Sequence, residues 1–182
     1  MIKRDWLRYY DVLPPRKFPA RVIQSWDTAV KSGAQNDYSV CTTWLKVNND
    51  YYLMDVSRGR YEYPRLKQTA MTLAERYKPD VILIEDATTG NPLAQDLRKA
   101  GISRVRLVQV ERDKVARLYV QQAKFENGQV LFPRNAGFLP ALEAELLTFP
   151  QSKHDDQVDS VTQALATQGS KYNYDSTLSW VD

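Results

Sequence analysis

The chain of 182 residues has one cysteine, one histidine and seven glycines. A lone Cys41 in an apolar-rich stretch cannot close an internal disulfide or build a zinc cluster, and its plainest role is that of a small buried residue in a protein of a reducing cytoplasm. Seven glycines leave little material for glycine-rich loops that cradle nucleotide phosphates, which argues against an actin-like sugar or acetate kinase. Long apolar runs are missing too. Runs such as Val81-Ile82-Leu83-Ile84, among the longest, are far too short to cross a bilayer, and no signal-peptide pattern opens the chain, so no membrane association is expected. Charge of one sign is also in short supply: 25 basic against 22 acidic residues give +3, so a polyanion would have to be met by a local patch.

What is present is ordinary core material, 43% apolar and 26% charged, enough for one domain. Residues 1–20, with Trp6, Tyr9, Tyr10 and Pro14-Pro15, have no clear period and read as a lead-in or linker. The domain proper is expected over 21–169 and a tail over 170–182. Val22 to Asp27 predicts a strand, followed by a loop through Lys31 and Gly33 to Asn36. Tyr38 to Val47 and Tyr51 to Val56 predict two more strands joined by Asn48-Asn49-Asp50, an antiparallel meander. Glu62 to Tyr77 shifts to helical spacing and stops before Pro79.

Val81 to Glu85 is mostly β-branched and closes in an acid, as in a strand buried on both faces. Asn91-Pro92 reads as a cap and first-turn proline for a helix ending at Gly101. A strand over Val105 to Val110 follows, then a helix capped by Asp113 and stopped by Asn127-Gly128, and a short extended piece at Val130 to Phe132. Helices over Phe138 to Leu147 and Asp155 to Thr167 complete the order. Strands followed by alternating helix and strand predict an α/β sandwich with a mixed sheet, antiparallel on one side and parallel on the other.

Chemistry concentrates at the ends of these elements. Asp27 and Glu85 close two strands, and Asp155, Asp156 and Asp159 cluster where the last helix begins. At ~100° per residue, those three span about 100° of helix surface beside the apolar stripe of Val158, Val161 and Leu165. A strand-end acid and a helix-capping acid each have ordinary structural explanations; the three-element combination carries the signal. Like charges at 4 Å repel by ~4 kcal/mol at an effective dielectric near 20, so such a cluster needs a cation or must keep protons. Hard oxygen donors without cysteine select magnesium or manganese. Two such ions would activate water and stabilise the leaving 3′ oxygen in attack on a phosphodiester. Asp86 points to the other face if the strand continues.

The segments Ser25-Trp26-Asp27-Thr28-Ala29, Asn36-Asp37-Tyr38-Ser39-Val40, Ile84-Glu85-Asp86 and, above all, His154-Asp155-Asp156-Gln157-Val158-Asp159-Ser160 resemble the C-terminal nuclease domain of the large terminase subunit of tailed bacteriophages and prophages. The resemblance covers roughly Arg21 to Ala166. It implies a ribonuclease H-like fold, a two-metal mechanism and cleavage of double-stranded DNA during packaging in the bacterial host's cytoplasm. The implied partners are an ATPase motor, the small terminase subunit and the portal. It also implies Asp27, Glu85 and one of Asp155 and Asp156 as catalytic acids and metal ligands, with Asp159 a fourth ligand. Sharing a helix face with Asp159 favours Asp156, whereas angular position beside the apolar stripe favours Asp155. No G-x-x-x-x-G-K-[ST] motif occurs, so this chain cannot power translocation itself.

For DNA, Lys31, Arg58, Arg60 and Lys153 lie in or beside expected loops, and Arg112, Lys114 and Arg117 crowd the start of a helix; all suit sequence-independent phosphate contacts. The same cations also suit a solvated surface. Two other readings compete: a Holliday-junction-resolvase-like nuclease, and a non-catalytic module that binds DNA, motor or portal.

Overall fold

The computed structural model describes residues 1–29, 37–110 and 113–167. Strands β1 (Arg8–Tyr10), β2 (Arg21–Asp27), β3 (Ser39–Val47), β4 (Asp50–Gly59), β5 (Val81–Glu85), β6 (Val105–Val108) and β7 (Val130–Pro133) form one sheet in the order β1-β7-β4-β3-β2-β5-β6. Helices α1 (Tyr63–Tyr77), α2 (Gly90–Lys99), α3 (Lys114–Glu126), α4 (Leu139–Thr148) and α5 (Asp156–Leu165) cover it. The meander β2-β3-β4 is antiparallel, while β5 lies parallel beside β2 and β6 parallel beside β5. The sheet is mixed, as the element order predicts, and ribonuclease H-like, as the resemblance implies, but parallel pairs flank the meander on both sides, because β7 runs parallel beside β4 and β1 beside β7. Among the described residues no helix is long and apolar enough to cross a membrane.

Strand parity sorts the core into two sides, because successive side chains point to opposite faces. Trp26, Ile82 and Ile84 join Leu66, Ala70, Leu93 and Leu97 of α1 and α2. Ile23 and Leu83 join Leu118 and Phe125 of α3, Leu142 and Leu146 of α4, and Val158 and Val161 of α5. Asp27 and Glu85 share the parity of Ile23 and Leu83, so both acids belong to the α5 side. Parallel register pairs Trp26 with Ile84, and Asp27 and Glu85 are the next residue along each strand. Neighbouring strands run ~4.8 Å apart, so the two acids stand side by side.

Two expectations need correction. The lead-in is no mere linker: Arg8 to Tyr10 pair with Leu131 to Pro133 as a parallel edge strand, and Ile2 and Leu7 are buried in the core. Three residues are too few to display a period of two. The second concerns α5, where every residue from Gln157 to Leu165 is buried rather than one stripe of them. Polar members survive there because they bond to the sheet. Trp44 Nε1 donates to Thr42 Oγ1, which lies 2.8 Å from Ser160 Oγ. Ser160 Oγ donates to the Ser25 carbonyl at 2.8 Å, and Ser25 Oγ donates back to the Ser160 carbonyl at 2.7 Å. Gln163 Nε2 donates to Ser25 Oγ and to the Trp26 carbonyl. Ser160→Ala is therefore expected to cost about 1–3 kcal/mol in urea unfolding, the range for a buried polar group stripped of its partner. Wild-type stability in that variant would show that this chain of bonds does not hold α5 down.

Smaller differences follow from local chemistry. Helix α2 starts at Gly90, one residue before Asn91, with Thr89 at the cap position but making no side-chain cap bond. A Cβ at Gly90 would lie 2.0 Å from the Glu85 carbonyl oxygen, so only glycine lets α2 begin this close to the end of β5. Strand β4 runs to Gly59, beyond the last apolar residue Val56, because Ser57 and Arg58 still pair with Cys41 and Val40. Arg58 is therefore a strand residue.

Candidate active site

Antiparallel register sets Asp27 opposite Val40 and Val40 opposite Arg58. A row thus crosses the α5 side of the sheet at one level: Arg58, Val40, Asp27 and, one strand further, Glu85. The N-terminus of α5 lies over this row and brings Asp156 and Asp159 to it. Asp27 keeps some accessible surface, yet burial raises its carboxyl well above the usual range. The negative charges of Asp159, Glu85 and Asp156 push it further, against Lys114. Burial, Glu145 and Asp155 raise Asp156 to about 6, opposed by Arg58 and His154. Acids from two strands and one helix therefore share one electrostatic environment.

Counter-charge comes largely from α3. Its first turn is fixed by Asp113, whose Oδ1 accepts from the amides of Val115 and Ala116. Lys114 Nζ lies 2.6 Å from Asp159 Oδ2 and 2.9 Å from Asp155 Oδ1, and Arg117 donates to Asp159 Oδ1 at 2.7 Å. Burial raises Asp159 while these two cations pull it down. Burial works against the charge on Lys114, but its bonds to Asp159 and Asp155 outweigh that and hold it above the ordinary lysine value. Lys114 and Arg117, three residues apart, share one face of α3, and that face turns onto α5 instead of standing free for the phosphate contacts expected of it. Asp159 likewise has both oxygens engaged by side-chain cations.

Asp155 occupies the cap position of α5 without capping it. The cap is Glu145 of α4: its Oε1 accepts from the amides of Gln157 and Val158 at 2.8 and 3.1 Å, and its Oε2 from Gln157 Nε2 at 2.7 Å. Arg58 lies 3.8 Å from Glu145 and 3.9 Å from Asp156, with its guanidinium stacked 3.8 Å from the Tyr38 ring centre. Tyr38 also carries Arg60 and meets the His154 ring edge-on. Sequence reading missed Glu145, although it falls on the apolar face of α4 with Leu139, Leu142 and Leu146, where an acid demands a partner. It also gave Tyr38 no role.

Arg60 and Lys153 are exposed, as phosphate contacts require, whereas Arg58 is largely covered. Lys31 and Arg112 lie outside the described residues, as do the loop 31–36 and the expected tail. The Thr88-Thr89-Gly90 turn closes against Glu85. Asp86 is exposed and accepts from Asn91 and Gln109, consistent with its opposite parity.

Among the described residues no three acids stand at the spacing of a single metal site. The donor set nevertheless suits a hard cation. It is all oxygen, Asp27 is crowded by three other acids, and Asp156 Oδ2 is buried with no hydrogen-bond partner.

The fold is that of a ribonuclease H-like domain, with acids from two strands and one helix in one electrostatic environment. The sequence profile of the terminase RNaseH-like domain family matches residues 24–168. The chain belongs to that family and is a nuclease domain of the phage-terminase type. No curated protein matches it. Among solved structures it is similar to the large terminase nuclease of thermophilic phage G20c with bound zinc. That match has a TM-score of 0.69 at 18% identity, covering 91% of this chain and 96% of that one. The same nuclease with bound magnesium gives 0.67 at 17%, covering 88% and 93%. The large terminase of a second thermophilic bacteriophage gives 0.68 at 12% identity, with 91% of this chain matching 44% of that one. At such identities the likeness is one of fold.

Proposed function

We propose that this domain is a divalent-metal-dependent endonuclease that cuts double-stranded DNA by a two-metal mechanism, as the nuclease of a packaging terminase. What supports the reading is that Asp27 on β2 is largely buried within reach of the charges of Glu85 on β5 and of Asp156 and Asp159 on α5. The proposed ligands are Asp27, Glu85 and Asp156, with magnesium or manganese as the ions, and the G20c nuclease of the same fold has been solved with zinc and with magnesium. Ions bound there supply activation of water and neutralisation of charge on the leaving oxygen. This chain's own residues do the rest. Glu145 holds the start of α5, and with it Asp156, in place, while Arg60 and Lys153 offer exposed charge to the phosphate backbone. Motor, small subunit and portal are the partners the packaging role requires.

Supercoiled plasmid with manganese or magnesium is expected to be nicked and linearised, and EDTA is expected to stop it. Turnover unaffected by EDTA would overturn the metal requirement. Strong preference for four-way junctions over linear duplex would shift the reading to a resolvase. The engagement of Asp155 and Asp159 by Lys114 and Arg117 favours one second reading, a cluster neutralised by its own cations in a non-catalytic DNA-, motor- or portal-binding module. DNA binding without any turnover across divalent metals would support it.

A further inference from the structure

Lys114 and Arg117 hold the same acid in unlike ways. Arg117 is well covered, with 14% of its side chain exposed, and takes Asp159 Oδ1. Lys114 is 42% exposed and bridges Asp159 Oδ2 to Asp155 Oδ1. Its backbone is anchored, because Asp113 caps α3 and Leu118 and Phe125 root the helix in the core. The ammonium therefore stands on a flexible four-carbon stem above a fixed base, while the planar Arg117 guanidinium is held inside the fold. Beyond Asp159 lie Asp27, Glu85 and Asp156, the proposed ligands of a divalent ion. Lys114 thus sits where protein ends and solvent begins, on the one oxygen of Asp159 that Arg117 leaves to it.

We propose that Lys114 is a releasable counter-ion: it holds Asp155 and Asp159 while the acids lack a divalent cation, gives up Asp159 when one binds, and then engages a DNA phosphate. This inference rests on the metal-dependent reading above. A divalent cation among Asp27, Glu85 and Asp156 repels the ammonium beside Asp159, so metal entry weakens the grip of Lys114, and a phosphate that draws Lys114 away removes a charge that opposes the metal. By linkage, metal must then tighten DNA binding by the same factor by which DNA tightens metal binding. One side chain couples the two.

The test is Mn²⁺ titration by calorimetry of wild type, Lys114→Met and Lys114→Arg, each first shown by thermal melting to be folded. Duplex binding by fluorescence anisotropy follows, with and without Ca²⁺, on DNA checked by gel to stay uncut. Lys114→Met is expected to bind Mn²⁺ about ten-fold more tightly than wild type, because the competing charge is gone. Lys114→Arg, which keeps the charge, is expected to stay within about three-fold of wild type. Ca²⁺ is expected to raise wild-type duplex affinity several-fold and to steepen its salt dependence by about one phosphate contact. Lys114→Met is expected to lose both increments. The inference is overturned if Lys114→Met binds Mn²⁺ no better than wild type, if Lys114→Arg tightens as much as Lys114→Met, or if Ca²⁺ affects duplex binding equally in wild type and Lys114→Met. Wild type that binds Mn²⁺ while any of these holds leaves the nuclease proposal standing; wild type that binds no Mn²⁺ removes both.

Discussion

Asp27→Asn is expected to lower metal-dependent DNA cleavage on the order of 10³-fold and, in EDTA at neutral pH, to raise the melting temperature. The two effects share one cause. Burial and then the charges of Asp159, Glu85 and Asp156 raise the Asp27 carboxyl in the folded protein, so ionising it there costs free energy that the unfolded chain escapes. Below the unfolded value of about 3.9 the group is neutral in both states and the cost vanishes. As pH rises from there toward the folded-state value the unfolded chain releases its proton first, stability falls, and above that value the full penalty remains. Asparagine carries no charge to ionise, so the variant's advantage should be greatest at neutral pH and close toward pH 4.

Asp156, raised to about 6, adds a second fall between about pH 4 and pH 6. Thermal melts in EDTA from pH 4 to 8 measure both. A folded Asp27→Asn that cuts at the wild-type rate would remove Asp27 from the chemistry. A variant that melts lower than wild type at pH 7 would mean that the charge on Asp27 is already compensated in the metal-free protein.

Glu145→Ala is expected to destabilise the domain by about 3 kcal/mol and to reduce cleavage although Glu145 is not among the proposed ligands. Its carboxylate accepts from two backbone amides and one side-chain amide of α5. Truncation leaves those donors without a partner and Arg58 with one acid fewer. The cap bonds account for most of the loss, because the Arg58 contact is long at 3.8 Å. Glu145→Gln keeps one acceptor oxygen and should recover about half of the stability. Urea unfolding of the three proteins, read beside their cleavage rates, distinguishes a cap from a surface acid. A Glu145→Ala protein within about 0.5 kcal/mol of wild type, the usual spread for surface substitutions, would assign the cap no weight.

Asp27 and Glu85 were legible because each ends an apolar strand and local pattern sets where strands stop. Their meeting followed from element order, which left few sheets to choose from. Lys114 and Arg117 show the limit of such reading. Their i, i+3 spacing put them on one face, but spacing on a helix does not say what the face meets, and packing turned it onto Asp155 and Asp159. The same limit hid Glu145, whose partners on α5 lie beyond any local window, and β1, whose three residues acquire strand character only from β7.

Periodicity, capping residues and the placement of acids at element ends come from interactions within a few residues, and the sequence alone determined those: the order of strands and helices from β2 onward, the mixed sheet, the two strand-end acids. Which cation answers which carboxylate, and which acid caps α5, depended on contacts between different elements, 12 residues apart for Glu145 and Gln157 and 42 for Arg117 and Asp159. Only folding decides these, because they arise from how helices lean over the sheet and not from any property of the segments themselves.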